Sequence, residues 1–146
     1  MTKQALFTLI ITTLFFSTSF AQNIPLLIKV YEKMDSCSRN KNYKEVVEYA
    51  NTLILEAPKN SDLYILGFVS KSYAESELKD YRGAIIDASN GLEAITSEAL
   101  MIRQPDLPRM IKFAKSNLFL IRGLAKESIG LVESSEEDIK KSKEFD

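Results

Sequence analysis

The chain contains no histidine and no tryptophan, and it has a single cysteine among its 146 residues. Without histidine, the side chain that most often serves as a general base or metal ligand is missing. No glycine-rich phosphate-binding motif or metal-ligand spacing occurs, and no nucleophile stands beside a base. The sequence therefore predicts neither an enzyme nor a bound cofactor or metal. Catalysis by carboxylates alone stays open, although no pair stands out among the 20 acidic residues.

The lone cysteine excludes an internal disulfide, so packing has to stabilise the fold. Cys37 lies at an apolar helical spacing, which predicts a small buried side chain rather than a nucleophile. Neither sign of charge dominates, since 19 basic and 20 acidic residues give a formal net charge of −1. This balance offers little attraction to nucleic acid or anionic lipid, and neither is expected as a partner.

The N-terminus has the three parts of a secretory signal peptide. One cation precedes an apolar run from Ala5 to Phe16, and small and polar residues follow up to Ala21. The run is shorter than the roughly 20 apolar residues that span a bilayer. We therefore expect residues 1–21 to be removed on export to the periplasm or the extracellular space. Residues 22–146 would then form one domain without a stable membrane anchor. An uncleaved anchor is the alternative.

Apolar residues in the rest of the chain recur at intervals of three and four, the period of a helix, and no segment keeps the alternation of a strand. We therefore predict an all-α fold. Four segments carry the pattern: Leu27, Val30, Tyr31 and Met34; Tyr43, Val46, Val47, Ala50, Leu53 and Ile54; Tyr81, Ala84, Ile85, Ala88, Leu92 and Ile95; and Met110, Phe113, Ala114, Ile121 and Leu124.

Local signals predict several helix ends. Asn42 and Glu45 have capping-box spacing, and Asp80 suits the cap of a later helix. Pro58 is expected to end one helix, and Pro108 to lie in the first turn of another.

The second helices of three predicted hairpins have matching sequences. They open at Tyr43, Tyr81 and Val132, each shortly after a polar break. Small or apolar residues follow at the same three offsets: Val46, Ala84 and Ser135; Ala50, Ala88 and Ile139; and Leu53, Gly91 and Ser142. A first helix lies upstream of each, so the chain contains three similar units.

Two segments, SYAESELKDYRGAIIDASNGLEA and IRGLAKESIGLVESS, resemble the tetratricopeptide repeat family. The match is degenerate: where the family pattern has Trp, Leu-Gly and Tyr, the middle unit has Phe68, Lys71-Ser72 and Glu75. The resemblance implies stacked antiparallel helical hairpins, a right-handed α-solenoid of about six helices. Its units would span about 24–58, 61–95 and 108–146. A loose helical bundle is the alternative.

Close packing of helices would explain the glycines within them. We expect Gly91, Ala84 and Ala88 to lie against neighbouring helices, and Gly123 to let the next hairpin approach. Glycine inside a helix costs about 0.5–1 kcal/mol relative to alanine, so these contacts have to offset that cost.

Two pairs of opposite charges straddle turns symmetrically. Lys71 with Asp87 and Arg122 with Asp138 are sixteen residues apart. In hairpins that turn near Lys79 and Gly130, the members of each pair would lie opposite each other. The spacing predicts two partly covered ion pairs.

A stack of hairpins curves, and the first helix of each unit lines its concave face. Aromatic and aliphatic side chains beside carboxylates suit an extended peptide or an amphipathic helix. For Leu120 and Leu124, packing within the third unit is the alternative. The residues predicted to bind a partner on this face are Tyr31, Asp35, Val69, Tyr73, Glu77, Leu120, Leu124 and Glu127.

One known use of the family is not expected here. Members that bind the acidic C-terminal tails of chaperones use Lys, Asn and Arg on the first helices. The matching positions are Tyr31, Asp35, Ser70, Asn117 and Ile121, and Asp35 would repel a carboxylate.

Residues 96–108 depart from the repeat and either form a surface specific to a partner or only lengthen two helices. The final helix is sparsely apolar and is expected to act as a polar cap. The sequence predicts a noncatalytic protein-binding adaptor or scaffold of the cell envelope or secreted space. The alternatives are a self-associating structural subunit, a binder of small ligands and a carboxylate-dependent enzyme. The partner itself is not encoded in any motif.

Overall fold

The computed structural model describes residues 23–59, 61–96 and 107–145. The predicted signal peptide lies outside these ranges, as does most of the excursion at 96–108. All regular structure in the described ranges is helical, in six helices without a strand, so the predicted all-α fold is confirmed. The helices are α1 (residues 23–39), α2 (Tyr43–Glu56), α3 (Asp62–Glu77), α4 (Tyr81–Thr96), α5 (Leu107–Ser128) and α6 (Val132–Ser142).

Most predicted helix ends are confirmed. Asp80 caps α4, since its Oδ1 accepts a hydrogen bond from the Gly83 N–H at 3.1 Å. The helix before Pro58 ends at Glu56, because Ala57 is extended, as a residue before proline prefers. Pro108 lies in the first turn of α5.

The prediction of a capping box at the start of α2 is wrong. Asn42 is the N-cap residue, but its side chain makes no bond to the helix backbone. Its amide Nδ2 instead donates to Glu45 Oε1 at 2.6 Å. The other carboxylate oxygen, Oε2, accepts from the Cys37 thiol at 3.2 Å. Both Glu45 oxygens are therefore engaged by side chains rather than by the Asn42 N–H.

Cys37 is half-buried rather than fully buried, because its thiol lies at the edge of the first core cluster and faces Glu45. Burial, followed by the hydrogen bond and charge of Glu45, raises the pKa of the thiol above its usual value. A raised pKa keeps the sulfur protonated and a poor nucleophile.

The turns α1–α2, α3–α4 and α5–α6 have the same geometry. Each contains one residue with positive φ: Lys41 at 58°, Lys79 at 65° and Gly130 at 83°. In each turn the next N–H donates to a carbonyl five residues earlier: Asn42 to Cys37 at 2.9 Å, Asp80 to Glu75 at 2.8 Å and Leu131 to Lys126 at 2.9 Å. This bond is the 6→1 bond of a Schellman ending. Three turns of the described chain therefore share one type of backbone conformation.

The helices pack in chain order. From α2 to α6, each helix contacts the next one, and α3 also contacts α5. Three core clusters lie between them. The first joins α1, α2 and α3 around Met34 and Leu53, the second joins α3, α4 and α5 around Ile65 and Leu118, and the third joins α4 and α5 at Ala84. No described helix is long and apolar enough to cross a membrane.

The predicted small-residue contacts are confirmed. Ala84 and Ala88 are completely buried. A Cβ atom added to Gly91 would lie 2.9 Å from Phe68 Cβ and 3.0 Å from Leu118 Cδ1. These distances are too short for real Cβ contacts, so glycine is needed for α4 to approach both α3 and α5.

Two further glycines allow close approach. A Cβ on Gly123 would lie 2.8 Å from Ile139 Cγ1 and 3.2 Å from the Ser135 carbonyl oxygen, so α6 sits directly on α5 there. Gly67, whose role the sequence analysis missed, plays the same part between α3 and α2: its added Cβ would lie 2.9 Å from Ile54 Cγ1.

Candidate functional site

An open groove of about 270 Å³ lies along α3 and α5 at the end of α1. Five of the residues predicted to bind a partner line it: Val69, Tyr73, Glu77, Leu120 and Leu124. The others that line it are Ser38, Ser70, Ser76, Asn117 and Ile121. The groove forms because α3 and α5 contact each other directly, although α4 separates them in sequence.

Helical spacing brings these side chains to one face. Val69, Tyr73 and Glu77 follow one another at one-turn intervals on α3, and Leu120 and Leu124 do so on α5. Tyr73, Leu120 and Leu124 are 40%, 39% and 46% exposed. Packing within the third unit therefore does not cover the two leucines, and an apolar strip remains open to solvent.

Three predicted residues do not line the groove. Tyr31 is half-buried because its ring packs against the first core cluster. Asp35 forms an ion pair with Arg39 at 2.8 Å one turn along α1. Glu127 is an exposed residue near the end of α5. In place of Tyr31 and Asp35, α1 contributes Ser38.

Five lining residues were not predicted from the sequence, although a signal was present for three of them. Ser70, Asn117 and Ile121 are positions that the comparison with chaperone-binding members placed on this face. Asn117 Nδ2 donates to the Phe113 carbonyl oxygen at 2.8 Å, which leaves the amide oxygen as an acceptor. Ser38 and Ser76 carried no such signal.

One end of the groove is polar and acidic. Tyr43, at the start of α2, contacts Tyr73 edge-to-face with ring centroids 5.9 Å apart. The hydrogen bond with Tyr73, followed by burial and then by Glu77, raises the pKa of Tyr43 to about 12. The Tyr43 phenol is neutral at physiological pH, as it would be even at the ordinary pKa of tyrosine. The Glu77 carboxylate forms no ion pair with any described residue.

Both predicted hairpin ion pairs are confirmed. Lys71 Nζ lies 3.0 Å from Asp87 Oδ2. Arg122 binds Asp138 with two parallel bonds, from Nε to Oδ2 at 2.8 Å and from Nη2 to Oδ1 at 2.7 Å. Arg122 Nη1 also donates to Ser89 Oγ on α4 at 3.1 Å. The side chains are largely covered, as the positions of the basic residues among apolar ones predicted.

The cluster in the last hairpin contains a second cation. Lys126 Nζ lies 2.7 Å from Asp138 Oδ2. Burial alone would raise the pKa of Asp138, but hydrogen bonds from Arg122 and Lys126 outweigh it and hold this pKa below its usual value. Asp138 is therefore a charged, fully partnered carboxylate in the α5–α6 interface.

The cluster in the middle hairpin has an acid in excess. Lys71 Nζ is 3.9 Å from Glu75 Oε1, while Glu75 Oε2 is buried without a hydrogen-bond partner. Burial, followed by the charge and hydrogen bond of Asp87, raises the pKa of Glu75 to about 8. The side chains of Glu75 and Asp87 are only 11% and 12% exposed, and neither lines the groove. These two acids are helix-packing groups rather than a site open to substrate.

No group of three potential ligands among histidine, cysteine, aspartate and glutamate could hold a metal ion in the described ranges. Comparison with known proteins gives no match, whether to protein-family models, to curated proteins or to solved structures. Function therefore has to be argued from the groove and from the pattern of the chain.

Proposed function

We propose that the protein is an exported, noncatalytic adaptor that binds a peptide or helix of a protein partner in the groove along α3 and α5. The observation that carries this proposal is the exposed apolar strip of Tyr73, Leu120 and Leu124 beside the Glu77 carboxylate, which forms no ion pair with any residue that the structure describes. Apolar side chains left open in this way, with polar groups at their rim, are typical of surfaces that bind proteins.

The shape of the groove favours a polypeptide over a small molecule. It is a cleft of about 270 Å³ between neighbouring helices rather than an enclosed cavity. It is also open along two helices, as a docking site for an extended chain or an amphipathic helix would be. Side chains of a partner, rather than a whole metabolite, fit such a site.

We further propose that the helices form three stacked units of the tetratricopeptide type, at about 24–58, 61–95 and 108–146. The three identical turn geometries at Lys41, Lys79 and Gly130 support a repeat. The ion pairs of the second and third hairpins, which have the same sixteen-residue separation, support it as well. A loose bundle gives no reason for such equivalence.

Export rests on the pattern of residues 1–21. The test is the mass of the protein recovered from the envelope or the medium of expressing cells. Cleavage after Ala21 would leave Gln22 as the first residue. A full-length N-terminus in the cell interior would contradict export and leave the groove argument unchanged.

Site-specific photocrosslinking tests the adaptor role. A photoreactive amino acid at Leu120 should capture a partner from the envelope fraction or the medium. The same residue at Ile86 on α4, which is 60% exposed outside the groove, should not capture it. Leu124→Glu should abolish the capture and Ile86→Glu should leave it intact. Equal capture from both positions would contradict binding in the groove.

Light scattering across a concentration series tests the competing idea of a self-associating subunit. An adaptor with a separate partner should stay monomeric. A stable oligomer that Leu124→Glu dissociates would make a second copy the partner.

A further inference from the structure

We propose that the groove binds a basic peptide segment, with a lysine or arginine side chain against Glu77 and an adjacent apolar side chain over Leu120 and Leu124. This inference rests on the proposed function and adds the chemical class of the partner. It follows from the charges in and around the groove.

Glu77 is the only charged residue among the described residues that line the groove. Two acids on other helices already have cations: Asp35 on α1 pairs with Arg39 at 2.8 Å, and Asp87 on α4 pairs with Lys71 at 3.0 Å. Glu77 has none. No lysine or arginine lines this groove in the described chain, so an acidic or phosphorylated segment would meet no cation there and would be repelled by Glu77.

The tyrosines at this end do not neutralise the carboxylate. Tyr73 lines the groove together with Glu77 and contacts Tyr43 edge-to-face, and the Tyr43 hydroxyl, whose pKa is raised, carries no charge at physiological pH. A neutral phenol donates a hydrogen bond to a carboxylate but leaves the negative charge in place. The site therefore combines an oriented negative charge with aromatic rings, an arrangement that attracts a guanidinium or ammonium group.

Ligand binding would increase the free-energy cost of leaving the Glu77 carboxylate without a cation. A ligand that covers Leu120 and Leu124 removes water from the groove, and a carboxylate that loses water without gaining a partner is strongly disfavoured. A cation on the ligand removes this penalty and gains a hydrogen bond at lower effective dielectric. The apolar strip thus supplies contact area, while Glu77 selects against neutral and acidic segments.

The test begins with selection from a phage-displayed library of random 12-residue peptides on purified protein. The best binder is then made as a fluorescent peptide in three versions: as selected, with its basic residues changed to Gln, and with them changed to Glu. Fluorescence anisotropy gives the dissociation constants for the wild-type protein and for Glu77→Gln, Glu77→Lys and Leu124→Glu. Glu127→Gln is the matched control, since Glu127 is also exposed near a helix end but does not line the groove.

We expect the selected peptides to be enriched in lysine or arginine beside an apolar residue. Changing the basic residues to Gln should weaken binding to the wild type roughly tenfold, the factor that corresponds to about 1.4 kcal/mol. Glu77→Gln should weaken binding of the selected peptide to a similar extent and flatten its salt dependence. The Glu77→Lys protein should bind the peptide version with Glu more tightly than the version with basic residues. The Leu124→Glu protein should bind none of the three peptides. The Glu127→Gln protein should bind them as the wild type does.

The outcomes separate the two proposals. Peptides that Leu124→Glu rejects, but that lack basic residues and bind Glu77→Gln as tightly as wild type, overturn the charge inference and leave the adaptor proposal standing. Peptides unaffected by Leu124→Glu, or no selectable binder, overturn both. A dimer that Leu124→Glu dissociates also overturns the basic-peptide inference. Circular dichroism melting of each variant verifies folding, which is expected because all the altered side chains are exposed.

Discussion

Glu75 on α3 and Lys126 on α5 occupy equivalent places in their hairpins but carry opposite charges. The carbonyl oxygen of each accepts the hydrogen bond that closes the following turn, from Asp80 N at 2.8 Å and from Leu131 N at 2.9 Å. Each side chain lies one turn after the basic residue of the hairpin ion pair. The last hairpin therefore places two cations around Asp138, whereas the middle hairpin places two acids around Lys71.

Because Glu75 is the second acid beside Lys71, we expect the stability of the protein to fall as the pH rises. The pKa of Glu75 is about 8 in the folded chain, against an ordinary value near 4.5. The unfolded chain therefore releases this proton first, and the free energy of unfolding decreases as the pH rises from about 4.5 to about 8. Lys71 and water at the exposed edge screen the group, so we expect a loss of about 1–3 kcal/mol over this window.

Urea denaturation of the wild type and of Glu75→Gln between pH 4.5 and 8 measures this effect. Glu75→Gln should remove most of the slope and be more stable than the wild type at pH 8. Glu127→Gln, an exposed glutamate on α5, should keep the slope of the wild type. A wild type and Glu75→Gln with parallel profiles would show that Glu75 is charged throughout.

Loss of the Asp138 carboxylate should lower the free energy of unfolding more than loss of the Asp87 carboxylate. Asp138→Asn leaves Arg122 and Lys126 facing each other in a buried interface, which is expected to cost about 3–5 kcal/mol. Asp87→Asn also removes the charge and hydrogen bond that help to raise the pKa of Glu75, so Glu75 can ionise and pair with Lys71, and the loss should be smaller than that of Asp138→Asn. Chemical denaturation at neutral pH compares the two variants. Equal losses would mean that Glu75 does not take over the role of Asp87.

Gly91→Ala tests the close approach of α4 to its neighbours. The new methyl group would meet Phe68 Cβ at 2.9 Å and Leu118 Cδ1 at 3.0 Å, and overpacking of this kind destabilises by about 1–3 kcal/mol. Asn90→Ala, at an exposed position of the same helix, should instead stabilise slightly through its higher helix propensity. Thermal melts of both variants provide the measurement. A Gly91→Ala protein as stable as Asn90→Ala would refute tight packing here.

Lys79→Gly should stabilise the protein although it removes a charged surface residue. Lys79 has a φ of 65°, a left-handed conformation that is unfavourable for all residues with a Cβ. The equivalent place in the last turn is held by Gly130. We expect a gain of about 0.5–1 kcal/mol, since glycine also loses more entropy on folding.

The control is Lys112→Gly in the exposed interior of α5, which should lose about 1 kcal/mol. Both are measured by urea denaturation. A loss of stability in Lys79→Gly comparable to that of Lys112→Gly would mean that the lysine side chain stabilises the turn through contacts that outweigh its strain.

Features that depend on spacing along a helix were predictable from the sequence. The period of the apolar residues gave the helices, and the symmetric placement of Lys71 and Asp87 about a turn gave their ion pair. The burial of Ala84, Ala88 and Gly91 followed from the same reasoning. Helical geometry fixes these relationships once the turns are located.

Features that depend on competition between side chains were not predictable. Glu45 has the spacing of a capping box, but Asn42 and Cys37 bind its carboxylate instead. Tyr31 has the spacing of a groove residue, but it covers the first core cluster. Glu75 stands where the repeat pattern has Tyr, and its sequence position does not show that tertiary packing leaves its Oε2 buried without a hydrogen-bond partner. The position of Glu45 depends on which donors bind its carboxylate. The positions of Tyr31 and Glu75 depend on contacts with residues on other helices.

The contact between Arg122 and Ser89 has a consequence for how the chain opens. The Ser89 hydroxyl donates to the Ile85 carbonyl oxygen at 2.7 Å and accepts from Arg122, whose other nitrogens hold Asp138. The Arg122 guanidinium thus connects α4, α5 and α6, and α6 cannot separate from α5 at Asp138 without disturbing the hydrogen bonds that also reach Ser89 on α4. Amide protons in the last hairpin should therefore exchange cooperatively with those of α4 rather than earlier.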